Sequence, residues 1–521
     1  MVNEHMLSAL ILLPAVAAFL IALLPRGAHK LVRGFGLVAA FANLWLAMQI
    51  TLGFNPAGAP IQFAESFDWI PSWGARIALG VDGFGIILIA LSALILPIVL
   101  ASSGHSVKDE VKTYFALFFL LQAAIVGSLA SLDLLLFYVF WEIMLLPMFL
   151  IIGMFGGANR IYAAVKFILF TMIGSLLMLV AILWLYYAHG KASGTYTFNV
   201  VELYATNIGE SEQRWLFAAF ALAFSIKVPL FPFHTWLPDA HTEAPTGGSV
   251  VLAAVLLKLG GFGLWRFAIP LFPAGAAHCA PVLMGLAVIG VVYGALISRM
   301  QPDMKRLVAF SSVSHLGFAV LGLACGNATG IQGAIFVMLS HGFTTGALFL
   351  LVGVLYDQRH TRKIEDYGGL MAIVPNYSGV LRYVTLASAG LPGLSGFVGE
   401  FLVLVGVVQH PEWGKPMAAI AATGMVFGAV YMLWMFQRVM MGPVRHEENR
   451  KLHDLTPVQY AYLAPLLILT LVFGLRPELA LNLTEPAAQR LAQTVQARGG
   501  HSVKATDASG ATLFQTPAVG K

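Results

Sequence analysis

Six ionisable side chains stand deep inside apolar runs of this sequence: Glu142 in FYVFWEIMLLPMF, Lys227 in AFSIKVPLF, Lys258 in VLLKLGG, His315 in SSVSHLGF, His341 in MLSHGFTT and Glu400 in GFVGEF. Lys227 follows Trp215 by 12 residues, which on a helix is about 18 Å of the roughly 30 Å of bilayer hydrocarbon. Lys258 reaches a similar depth, nine residues past Ser249. A charge at that depth costs at least about 2.5–3.5 kcal/mol, so it is kept beside a partner or a wet path. Burial and an opposite charge act against each other on proton affinity, each by up to a few pKa units, so a paired buried lysine can exchange protons near neutral pH. Glu142 is the natural counter-ion for Lys227, and the imidazoles are suited by their ordinary pKa to relay protons. For His315 and His341 a purely structural hydrogen-bonded role is equally open. The row Glu142, Lys227, Lys258, His315, His341, Glu400 is therefore read as a proton wire in the membrane plane.

The elements that must hold this row are helices, two of them broken. Pro229, Pro232 and Pro238 follow Lys227, and Pro392-Gly393 precedes Glu400. Backbone groups freed by such breaks are tolerated at membrane depth only where protein or a water-lined cavity receives them. Apolar runs of spanning length recur about 14 times between Leu7 and Leu475, giving an all-α polytopic membrane protein. The first run lacks a small-residue cleavage site and reads as a retained helix. The stretch after Arg476 has no hydrophobic periodicity and reads as a weakly ordered tail.

Composition agrees: the 521 residues are 59% hydrophobic and 11% charged, far from a soluble balance. Basic residues such as Arg26, Lys108, Lys305, Arg306 and Arg362 crowd one alternate set of short loops. Only Arg76, Lys191, Arg214, Arg266 and Lys415 fall on the other. That asymmetry places both termini outside and reads as topology, not nucleic-acid binding. Lys166, Arg299, Lys305 and Arg306 near helix ends read as snorkelling to the interface, and Asp82 and Asp133 as helix caps. His234 and His241 with Asp239 and Glu243 match no metal-ligand spacing and read as a polar loop at the first break. Two cysteines, Cys279 and Cys325, cannot ligate an iron–sulfur cluster by themselves. No phosphate-cradling loop, dinucleotide fingerprint or haem-attachment motif is present.

Positions also recur. Lys227 to Glu400 is 400 − 227 = 173 residues, and Glu142 to His315 is 315 − 142 = 173. Two five-helix repeats of inverted topology follow, each with a broken helix, as in transporters with midplane sites. The expected division is three N-terminal spans (1–110), a first repeat (111–275), a second repeat (276–442), and a last span with the tail (443–521).

The segments FYVFWEIMLLPM at 137–148, SIKVPLFPFHTWLPDAHTEAPTGGSVVLAAVLLKLGGFG at 225–263, SSVSHLGF at 311–318 and GLPGLSGFVGEF at 390–401 resemble the antiporter-like proton-translocating subunits of respiratory complex I, the proton-pumping NADH:quinone oxidoreductase. Glutamate at 400 and 14 spans resemble its subunit M branch, the counterpart of mitochondrial subunit 4. The resemblance implies that Glu142 and Lys227 form the coupling pair. It implies further that Lys258, His315 and His341 carry the central path, with Glu400 toward the outward exit. It also implies an enzyme subunit in a bacterial inner membrane that has no redox centre or metal of its own. FMN, iron–sulfur clusters and quinone would sit in partner subunits, with two sister antiporter-like subunits and membrane lipid as neighbours. The alternatives are a subunit of a multi-subunit cation/proton antiporter and a passive membrane scaffold.

Overall fold

Apolar runs of this length leave their backbone amides no solvent to turn to, and a helix satisfies them internally. A computed structural model describes residues 5–25, 27–104 and 106–499; Glu4 and Arg26 lie outside these, as does the tail beyond Gly499. The helices are α1 (Met6–Leu23), α2 (His29–Gly53), α3 (Gly83–Ser102), α4 (Val111–Ala130), α5 (Leu134–Phe155), α6 (Arg160–Ser193), α7 (Glu210–Lys227), α8 (Trp236–Glu243) and α9 (Thr246–Leu271). They continue as α10 (Pro273–Arg299), α11 (Met304–Ala324), α12 (Ala328–Arg359), α13 (Pro375–Ser388), α14 (Ser395–Val408), α15 (Gly414–Met440), α16 (Pro457–Leu475) and α17 (Glu478–Gly499). Among the described residues, 12 of these are long and apolar enough to cross a membrane: α1–α6, α9–α12, α15 and α16. The two runs expected to be interrupted are split into shorter helices, α7/α8 and α13/α14.

At the centre lie α9 and α12, whose apolar windows are wholly buried. α12 packs against α9, α11, α13, α14, α16 and α17. The outer wall exposes Phe19, Trp45, Ile173, Val180, Val426 and Ile468, an apolar surface that would be unstable against water and suits lipid.

Two features lie outside the sequence reading. An antiparallel hairpin, β1 (Gln62–Ile70) and β2 (Ala75–Val81), follows α2. Its Glu65 accepts from Leu7 N at 2.7 Å and so caps the start of α1. The stretch after Arg476 is not a weakly ordered tail through Gly499: residues 478–499 form α17, which packs on α3, α10 and α12. A Cβ at Gly83 would lie 1.9 Å from Leu483 O, so this seat is backbone-close. Sequence periodicity missed α17 because it is a polar helix whose apolar residues face a surface made by distant segments.

Candidate functional site

The first break arises as its prolines require, and the carbonyls of Ser225 and Ile226 find new partners. Pro229 cannot donate to Ser225 O, and Leu230 N takes that place at 2.8 Å. Ile226 O accepts from the Trp236 indole at 2.9 Å. At the second break Gly390 and Gly393 hold φ of +79° and +93°, a region open to glycine, and Leu391 N reaches back to Leu386 O at 3.1 Å. In α5, Pro147 removes the donor for Ile143 O, and the helix is interrupted at Met144, two residues past Glu142. α9 is not uniform either. Widened π-helical turns at Leu252–Leu256 and Leu264–Ala268 flank the Lys258 turn, a distortion frequent at functional sites.

Four of the six expected residues are brought together. Lys258 Nζ donates to Ala253 O within the first π turn and contacts His341 Nδ1 at 2.6 Å. The His341 and His315 rings are 5.8 Å apart, edge to face. His315 Nδ1 lies 2.7 Å from Glu400 Oε1. Between them is a cavity of about 10 Å³ lined by His315, Ser340, His341, Thr344, Ser388 and Glu400, close to the room one water needs. His341 Nε2 and Ser388 Oγ are buried without a protein partner and both residues line it, which supplies the polar contacts a water requires. The spatial order is Lys258, His341, His315, Glu400.

Glu142 and Lys227 stand apart from that row. No direct ion pair within 4.0 Å joins them, and Lys227 Nζ and Glu142 Oε1 are buried without hydrogen-bond partners. The ammonium instead sits over the rings of Trp141 at 5.1 Å and Phe167 at 5.7 Å, a desolvated cation–π site worth about 2 kcal/mol. Glu142 acts on it electrostatically. α7 and α9 meet closely here: a Cβ at Gly260 would lie 2.7 Å from Val228 N.

Of the expected interfacial cations, Lys305 is instead held inside, while Lys166, Arg306 and Arg299 stay partly exposed and find partners. Lys305 is buried and donates to Ala244 O, because the junction of α8 and α9 folds over the start of α11. Lys166 pairs with Asp239 at 2.6 Å, and Arg306 reaches the same carboxylate at 3.3 Å. Arg299 lies 3.8 Å over Trp434. Arg266, placed in a loop by sequence, is buried in the second π turn of α9. His241 stacks on Phe349 at 4.9 Å, and His234 packs among Phe231, Tyr293 and Phe310. Asp82 and Asp133 do cap α3 and α5.

Sequence reading missed Tyr431, whose hydroxyl lies 3.2 Å from His315 Nε2. A signal was available, since 431 − 258 = 173 is the offset already noted for the other pairs. The Ser340–Ser395 hydroxyl pair, at 2.8 Å between α12 and α14, had none.

Residues 131–428 match the family described as NADH:quinone oxidoreductase/Mrp antiporter, TM. NADH-quinone oxidoreductase subunit M of Rhodobacter capsulatus is 42% identical over 520 residues, covering 96% of this chain and 99% of that one. A chain of respiratory complex I from Thermus thermophilus superposes with a TM-score of 0.84 at 33% identity, over 94% of this chain and 99% of that one. A chain of the Mrp complex from a Dietzia species shares the fold, with a TM-score of 0.80 at 21% identity, over 95% and 99%. With the split helices, the deep lysines and near-complete coverage in agreement, this chain belongs to the NADH:quinone oxidoreductase/Mrp antiporter family of multi-pass membrane proteins, in the branch of NADH-quinone oxidoreductase subunit M.

Proposed function

We propose that the chain is a proton-translocating membrane subunit of NADH:quinone oxidoreductase, and that protons cross the bilayer by way of Lys258, His341, His315 and Glu400. The observation that carries the reading is the contiguity of these four groups: contacts of 2.6 Å and 2.7 Å at the ends, with a water-sized cavity between the imidazoles. Each member can take or give a proton, and the surrounding protein keeps out bulk water that would short-circuit the path.

Glu142 and Lys227 form the input. With the ammonium held on aromatic faces and no hydrogen bond to settle it, its proton is governed by the Glu142 charge and by whatever moves α5 against α7. Redox chemistry in partner subunits supplies that displacement. Moving one charge against 100 mV takes about 2.3 kcal/mol, more than one pKa unit of change in affinity. Counting α7/α8 and α13/α14 as crossings brings the spans to 14, in three N-terminal helices, repeats over 111–275 and 276–442, and a final helix. The positive-inside distribution supports an orientation with both ends on the outer face of a bacterial inner membrane. Flavin, iron–sulfur clusters and quinone belong to partner subunits, and two sister antiporter-like subunits adjoin this one.

Co-purification tests the assignment. Partners that bind NADH and flavin support it; cation-driven pH change with no redox partner would replace it by the cation/proton antiporter reading.

A further inference from the structure

The end of α9 remote from Pro245 holds a buried charge cluster that the proton path does not use. Asp82 caps α3 with one carboxylate oxygen, accepting from Phe84 N at 3.1 Å and Gly85 N at 2.7 Å. Its other oxygen accepts from Arg266 Nε at 3.0 Å and the Trp265 indole at 3.3 Å, and lies 2.8 Å from the second guanidinium nitrogen. Burial opposes ionisation of Asp82, but the Arg266 charge and the hydrogen bonds outweigh it and hold the carboxyl below its usual range. Arg266 is 1% exposed; its Nη1 has no hydrogen-bond partner, and its Nη2 has only the ion pair with Asp82. The guanidinium also lies over Phe262 at 4.9 Å. Beside it is a cavity of about 20 Å³ lined by Asp82, Tyr204, Trp265, Arg266 and, from the terminal helix, Ala487 and Arg490. Two guanidiniums thus face one carboxylate. The acids of α17 do not cancel the excess: Glu485 is exposed and Glu478 pairs with Arg476.

We propose that Asp82, Arg266 and Arg490 form an electrostatic barrier that stops protons on Lys258 from leaking straight along α9 to the membrane face covered by α17. This rests on the assignment of Lys258 as a proton carrier. Arg266 is eight residues beyond Lys258, about 12 Å along the helix. The stretch between is closely packed: Gly260, Gly261 and Gly263 abut Phe224 O, Met338 Sδ and the Phe224 ring so closely that a Cβ would lie within 2.5 Å of each. One net positive charge at about 12 Å, at an effective dielectric of about 20, lowers the occupancy of an approaching proton about tenfold. A fixed arginine excluding protons is an established device in membrane pores. Here it leaves the lateral route through His341 as the easier one.

The sign of the charge makes the idea testable on the whole complex reconstituted in vesicles. A pH gradient is imposed without NADH, its decay is followed with a pH-sensitive dye, and variants are compared at matched protein levels. Arg266→Gln should speed the decay about tenfold, Arg490→Gln should shift it the same way, and Arg266→Lys, which keeps the charge, should hold the parental rate. Asp82→Asn, which makes the cluster more positive, should be no leakier than the parent. The Arg266→Gln leak should vanish when combined with Lys258→Ala. A parental rate in Arg266→Gln, an equal leak in Asp82→Asn, or a leak that persists without Lys258 would each overturn the barrier. NADH-driven pumping by Lys258→Ala alone, measured separately, tests the carrier assignment itself.

Discussion

Glu400→Gln isolates the charge at the far end of the row. The amide keeps the shape and the packing of α14 against α12 but removes the negative charge that faces His315 Nδ1 at 2.7 Å. A hydrogen bond to a charged group contributes about 1.5–3 kcal/mol, so the equilibrium for a proton reaching this site should fall about 10- to 150-fold. The neighbouring Tyr431 hydroxyl, 3.2 Å from the other ring nitrogen, is neutral and cannot replace the carboxylate. Because proton and electron movement are coupled in the proposed function, NADH-driven proton uptake by inverted vesicles and quinone reduction should fall together. Glu400→Asp should recover part of both. Its shorter side chain leaves a gap that a water can bridge, continuous with the existing cavity of about 10 Å³. The assay compares initial rates of dye quenching and NADH oxidation, with subunit content in the membrane matched by immunoblot. Pumping by Glu400→Gln within about twofold of the parent would remove the carboxylate from the path, since even the low end of the range predicts about tenfold.

Other substitutions follow from the same geometry. Glu142→Gln should abolish pumping and coupled quinone reduction while Glu142→Asp keeps part of both; normal turnover in the Gln variant would exclude Glu142 from the input. Lys258→Ala removes the group bonded to His341 Nδ1 and should eliminate most pumping at near-normal subunit levels, whereas Lys415→Ala, at an exposed site, should leave it unchanged; equal losses would refute the importance of depth. Tyr431→Phe deletes one neutral hydrogen bond worth about 1 kcal/mol, so proton uptake should slow about fivefold at most, and a complete loss would assign the hydroxyl a larger part. Gly396→Ala sets a Cβ 2.0 Å from Ala387 O, an overlap costing about 1–3 kcal/mol or more. Gly393→Ala meets nothing within 4 Å and bears only its φ of +93°. Thermal inactivation in detergent should therefore be faster for Gly396→Ala, and the reverse order would show that the break is not closely packed.

The sequence by itself determined depth and interruption. How far Lys227 or Lys258 lies along an apolar run is a local property, readable by counting residues against helix rise, and the energetic penalty of a charge there is independent of which helix lies next door. The breaks after Lys227 and before Glu400 were legible for a similar reason, because a proline removes its own backbone donor whatever surrounds it. What only the tertiary structure decided is the arrangement in the membrane plane. Lys305 and Lys258 look alike as lysines near or within apolar runs, yet one ammonium is taken by the Ala244 carbonyl and the other stands against His341. Lys166 finds Asp239 across 73 residues, and Arg266 finds Asp82 across 184. The order Lys258, His341, His315, Glu400 likewise depends on how α12 is wrapped by α9, α11 and α14. A run of apolar residues specifies that a helix will be buried in lipid or protein, but helix-to-helix selection in a bilayer comes from close packing of small residues and from polar partners on distant segments. Neither leaves a periodic trace in the local sequence, and that is why α17, lying over the Asp82–Arg266 pair, reads as a tail in the sequence although it is seated on α3.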